Sequence, residues 1–112
     1  MIKTRWGVIK DSVTNNNFNY PNGLYPNPGV YIGVPADYYD FRDDGRVYMY
    51  ENNNSDNAPY QILPNGRISL ISFGNYNYEC SILYLSTTKM TLFWDLTSAN
   101  GGRYTRTLYL YR

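Results

Sequence analysis

Apolar and polar residues alternate with a period of two along most of this chain, a pattern that predicts strands. Alternating runs cover residues 3–10, 38–43, 46–51, 58–63, 67–73, 77–85, 89–96 and 103–111. Between them lie residues suited to tight turns: Asp44-Gly45, Pro64-Asn65-Gly66, Gly74-Asn75, Ser86-Thr87-Thr88 and the small polar stretch 97–102. Residues 52–57, four of them asparagine, read as a polar loop. The stretch 11–36 breaks the pattern. Pro21, Pro26, Pro28 and Pro35 leave no room for a helix of useful length, so it reads as one long loop. Its aromatics (Phe18, Tyr20, Tyr25, Tyr31) suggest that it packs down in part, with 30–34 extended.

Eight strands joined by short connections favour an antiparallel up-and-down meander. An open meander leaves two unpaired edges, and closing it into a barrel removes both while burying one face of every strand. The predicted inward face carries Trp6 and Val8, then Tyr39, Phe41, Val47, Met49, Tyr60, Ile62, Ile68 and Leu70. It continues through Tyr78, Cys80, Ile82, Tyr84, Met90, Leu92, Trp94, Leu96, Leu108 and Leu110. Charged and hydroxyl residues occupy the opposite face. The expected fold is therefore all-β, an eight-stranded antiparallel barrel formed by residues 1–112 as a single domain. A two-sheet sandwich is the structural alternative.

Composition removes whole classes of chemistry. With no histidine, a Ser-His or Cys-His nucleophile and a His-ligated metal are excluded. The single Cys80 excludes an internal disulfide and a thiolate zinc site, and its inward position predicts a buried, inert thiol. A net charge of +1 argues against nucleic acid as a partner, and no apolar run is long enough for a membrane-spanning helix. Asp37, Asp40, Asp43 and Asp44 lack the alternate spacing of a calcium loop and read as a solvated turn. No enzyme signature, metal site or cofactor motif is present, so a non-enzymatic protein is expected. The unusual resource is tyrosine, present 14 times.

The order of these segments resembles the lipocalin-like domains of exported bacterial proteins, often lipoproteins. The resemblance rests on Trp6 in the first strand, the Tyr39-Asp40-Phe41-Arg42-Asp43-Asp44-Gly45 hairpin, Tyr60-Gln61-Ile62, the Pro-Asn-Gly turn and the 86–92 segment. It covers about 3–10 and 37–112, and the 11–36 stretch departs from the compact members. It implies a lipocalin-like barrel in a secreted or cell-envelope protein, with Met1 standing where an export segment was removed. A cytoplasmic start is the alternative.

The wider group also implies that the first-strand tryptophan packs beneath a basic side chain of the last strand. Arg106 shares the inward phase of Leu108 and Leu110 and is the candidate to cover Trp6, an ordinary core tryptophan and a surface arginine being the alternative. The implied function is binding of a small apolar or amphipathic ligand by a monomer. Tyr39, Phe41, Met49, Tyr60, Tyr78, Ile82, Tyr84, Met90 and Trp94 would line its interior. Two other readings stand beside it: a surface module whose exposed tyrosines and asparagines bind glycan or protein, and a filled barrel with a structural role.

Overall fold

The computed structural model describes residues 2–17, 28–72 and 76–112. The longest strand, β1 (Arg5–Asn16), organises the sheet. It ends at Asn16 and not at Lys10, because the chain bulges between Val8 and Lys10 and then continues. The bulge shifts the alternation by one residue, so Asp11 and Val13 follow Trp6 and Val8 into the interior. The 11–36 stretch is therefore no continuous loop. Its first six residues are strand, and Gly29–Ile32 forms β2, paired antiparallel with Lys10 to Val13 of β1. The aromatics Phe18, Tyr20 and Tyr25 lie outside the described residues.

Seven strands complete the sheet: β3 (Tyr38–Phe41), β4 (Arg46–Glu51), β5 (Asn54–Ile62), β6 (Arg67–Ser72), β7 (Tyr76–Leu85), β8 (Lys89–Thr97) and β9 (Arg103–Tyr111). Neighbours from β3 to β9 pair antiparallel in chain order. One edge of β1 pairs first with β3 and then with β2, and its other edge pairs with β9 from Gly7 to Asn16. That last seam closes an eight-stranded up-and-down barrel, with β2 as a ninth strand on its rim. The described residues contain no helix.

The turns follow their residues. Gly45 (φ +80°) and Gly66 (φ +75°) supply the left-handed positions of the β3–β4 and β5–β6 hairpins, and the Asp44 carboxylate accepts from the Arg46 amide. The 52–57 stretch is not a six-residue loop. Asn52 (φ +52°) and Asn53 (φ +64°) both take left-handed conformations, which makes a two-residue hairpin, and β5 starts at Asn54. Asparagine tolerates that region better than other side-chain-bearing residues.

The core lies inside the barrel. Trp6, Val8, Phe41, Val47, Ala58, Ile68, Cys80, Met90, Leu92, Trp94, Leu108 and Leu110 pack as one buried cluster. A second, smaller cluster of Val13 and Tyr104, with Leu96 against it, lies further along β1, β8 and β9.

Candidate functional site

One end of the barrel is sealed. Trp6 is fully buried and its indole N–H donates to the carbonyl of Ile2 at 3.0 Å, which folds the N-terminal residues across the barrel end. The Thr4 carbonyl accepts from the Phe41 amide at 3.1 Å and fixes that crossing. The cation over the Trp6 ring is Arg112, whose guanidinium carbon stands 4.8 Å from the ring centroid. Arg112 is held there by its own donations to the carbonyls of Thr87 (Nε, 2.6 Å) and Thr88 (amide, 3.0 Å).

The Trp6–Arg106 stack expected from the sequence does not form. The strands pair as Gly7↔Tyr111 and Val8↔Leu110, so the partner level with Trp6 is the end of β9. Pairing residues 3–10 with 103–111 sets Trp6 opposite Leu108, four residues short of the observed register along β9, because β1 runs on to Asn16. Arg106 lies deeper, opposite Val13 of β1 and Trp94 of β8.

There it forms the polar centre of the interior. Arg106 donates twice to Asp11, from Nε to Oδ1 at 3.0 Å and from Nη2 to Oδ2 at 2.8 Å. Nη2 also donates to the Tyr39 hydroxyl at 2.6 Å, and the guanidinium lies 4.9 Å from the Trp94 ring centroid. Tyr39 passes the chain on, donating its own proton to Glu51 Oε1 at 2.6 Å. Glu51 and Asp11 therefore stand on the same Nη2, at 3.6 and 2.8 Å. Five inward positions on five strands meet here: Asp11, Tyr39, Glu51, Trp94 and Arg106.

The electrostatics follow from the count of charges. Two carboxyls share one guanidinium in a part-buried setting, and Asp11 holds both of its hydrogen bonds. Burial, and then the hydrogen bond and negative charge of Asp11, push the Glu51 carboxyl up to about 8. At neutral pH Glu51 thus keeps its proton and donates it to Asp11. Burial also holds the Tyr39 phenol well above its ordinary range, against the pull of Arg106. The Glu51 and Arg106 side chains retain 12% and 13% exposure, whereas Asp11 has none.

The other residues singled out in the sequence divide clearly. Phe41, Met90 and Trp94 are buried, while Met49 and Ile82 pack against the core half-buried. Tyr60 sits toward the sealed end, edge-on to Phe41 at 5.1 Å, with its hydroxyl donating to the Arg42 carbonyl. The Tyr78 side chain lies outside the described residues. Tyr84 is a correction. It is 57% exposed, because a bulge between Ile82 and Tyr84 inverts the facing of β7 and turns Leu83 and Tyr84 outward. Ile62, expected inward, is exposed as well.

Asp37 is not the solvated turn residue expected. Its buried carboxylate accepts from the Tyr31 hydroxyl (2.6 Å) and the amides of Val34 (2.8 Å) and Asn52 (3.2 Å), joining β2, the β2–β3 connection and the β4–β5 turn. That bond pushes the Tyr31 phenol up to about 12. Cys80 is fully buried and burial pushes its thiol up to about 12. Among the described residues no three Asp, Glu or Cys side chains gather as metal ligands.

Asp11 and Glu51 are the site residues that sequence reasoning missed. Glu51 was within reach: it continues the inward phase of Val47 and Met49, and an inward Arg106 demands an opposite charge. Asp11 was hidden by the bulge.

No family model matches the chain, and no curated protein sequence matches it. Among solved structures it is similar to a deswapped triple mutant of bovine odorant-binding protein, at 14% identity and a TM-score of 0.55, over 96% of this chain and 70% of that one. It is also similar to aphrodisin, a sex pheromone from female hamster, at 14% identity and a TM-score of 0.56, over 100% of this chain and 75% of that one. What is shared at such identities is architecture: this chain has a lipocalin-like fold, an eight-stranded up-and-down barrel closed between its first and last strands.

Proposed function

We propose that this barrel is a non-enzymatic binding protein for a small apolar molecule with an uncharged or cationic polar end. The observation that carries the reading is the partly solvent-touched cluster of Asp11, Tyr39, Glu51 and Arg106 inside an otherwise apolar barrel sealed at its far end. Apolar walls favour the ligand's hydrocarbon by about 25 cal/mol per Å² removed from water. The polar cluster then orients the other end. The one guanidinium is already bound twice by Asp11 and leaves no free cation for a carboxylate head, so a fatty acid is a poor fit. An alcohol, carbonyl or amine is a good one. The likeness to an odorant-binding protein supports the barrel as a suitable container, through its fold alone.

Met49, Ile82, Met90 and Trp94 are the proposed walls, with Tyr39 contributing its hydroxyl. We place the protein outside the cytoplasm and as a monomer, in keeping with the exported domains its sequence resembles.

The test is a titration of intrinsic tryptophan fluorescence with dodecanol, dodecylamine and laurate, alongside native mass spectrometry of the purified protein. Saturable quenching by the alcohol or amine that is lost in Trp94→Phe supports the proposal. Binding by none of the three, with no co-purifying mass, rejects it in favour of a filled barrel.

A further inference from the structure

We propose that the Asp11–Glu51 carboxyl pair is a proton-operated latch: with its proton shared, it holds the β4–β5 tip against the β1–β9 seam, and loss of the proton releases that tip. The inference concerns the barrel itself and holds with or without a ligand.

The geometry fixes which partner must move. Asp11 is bound twice to Arg106, and Arg106 is further held by the Tyr39 hydroxyl and the Trp94 ring. Arg106 and Asp11 face each other across the long β1–β9 seam, which runs from Gly7 to Asn16. Glu51 has no such anchorage. It is the last residue of β4, paired with Asn54 across a two-residue turn, and it reaches the cluster through the proton it gives Asp11, one bond from Tyr39 and a 3.6 Å approach to Arg106. When both carboxyls are charged, one guanidinium cannot balance them, and the less restrained strand end gives way.

The titratable and charged groups around Glu51 come from each neighbouring element. They are Asp11 on β1, Tyr31 on β2, Asp37 in the β2–β3 connection, Tyr39 on β3 and Arg106 on β9. Arg106 is the cation among them. The phenols of Tyr31 and Tyr39 are both held above their ordinary range and stay neutral where Glu51 titrates. The tip's other tie, the 3.2 Å donation from the Asn52 amide to Asp37, brings a further negative charge toward the same corner. An ionised Glu51 keeps the attraction of Arg106 and the Tyr39 bond, but burial and the negative charge of Asp11 outweigh them. The released tip lies at the barrel end away from Trp6, so release would uncover the polar cluster.

The experiment places spin labels at Ser55→Cys, exposed near the start of β5, and Ala99→Cys, exposed on the β8–β9 turn, and reads their separation in frozen samples from pH 6 to 9.5. The buried Cys80 thiol leaves the labelling selective. A carboxyl carbon NMR titration of Glu51 runs in parallel. The expected result is a shift to longer, broader distances with a midpoint near 8, matching the Glu51 titration, and a flat profile in Glu51→Gln, which keeps the hydrogen bonds without the charge. Three results overturn the latch: a constant distance while Glu51 titrates, the same shift in Glu51→Gln, or a Glu51 that ionises in the ordinary carboxylate range.

Discussion

Asp11 and Arg106 are joined by two parallel hydrogen bonds, at 3.0 and 2.8 Å, inside the seam that turns the sheet into a barrel. Their chain separation is 95 residues, so this pair forms only when the last strand meets the first. The Asp11 side chain is fully buried, and each partner without the other becomes an uncompensated internal charge. Asp11→Ala or Arg106→Ala is expected to cost ~3–5 kcal/mol, against a much smaller loss for the double change Asp11→Leu with Arg106→Met. Urea unfolding of the three variants measures it.

Trp6 and Arg112 make the sealed end, and they contribute unequally. Trp6→Ala removes a fully buried indole and is expected to cost ~3–5 kcal/mol. Arg112 is exposed and contributes mainly a guanidinium over that ring, so Arg112→Ala should cost only ~1 kcal/mol. Thermal unfolding separates the two, and a larger loss from Arg112→Ala would mean that its bonds to Thr87 and Thr88 hold the barrel end.

The strands and the closed barrel were legible because hairpins announce themselves locally. Asp44-Gly45 and Asn65-Gly66 mark turns, and Tyr39 with Phe41, or Met90 with Leu92 and Trp94, mark faces. What stayed hidden traces to two bulges. A bulge adds one residue and inverts everything after it, with no residue type that signals it. At β1 it concealed Asp11, while the unseen run of β1 on to Asn16 set the register that places Arg112 and not Arg106 over Trp6. At β7 it turned Tyr84 outward. The two-residue Asn52-Asn53 turn was obscured by the asparagines around it, and with it the position of Glu51 at a strand end.

Gly33 explains how β2 lies so close to the barrel. A Cβ there would stand 1.8 Å from the Val8 carbonyl oxygen, and that atom belongs to the backbone at the β1 bulge. Gly33→Ala should peel β2 from β1 and cost ~2–3 kcal/mol. Gly7 makes a contrast, since a Cβ there meets the Tyr111 ring at 2.5 Å, a half-exposed side chain free to swing. Gly7→Ala should cost under ~1 kcal/mol. Amide exchange along residues 29–32 distinguishes them, with protection lost in Gly33→Ala alone.

Glu51 sets a pH dependence whose sign is opposite to that of an ordinary surface carboxylate. Its carboxyl titrates near 8 in the folded chain and at its ordinary 4.5 when unfolded. Between those values the folded chain holds a proton that the unfolded chain has lost. Its stabilising contribution is therefore complete below about pH 4.5, falls as pH rises, and is gone above about 8. At 1.36 kcal/mol per pH unit, over about 3.5 units, the full loss is at most about 5 kcal/mol. The depressed carboxyls of Asp44 and Asp95 act in the acid range instead, where their contribution fades as pH drops below 3.8. The difference between wild type and Glu51→Gln isolates Glu51 from both. Urea midpoints taken at pH 4.5, 6, 8 and 9.5 should show the wild type weakening relative to Glu51→Gln across that range, then running parallel to it. A wild type that instead gained stability on the variant with rising pH would place an ionised, stabilising carboxylate at Glu51 and remove the shared proton from the barrel's interior.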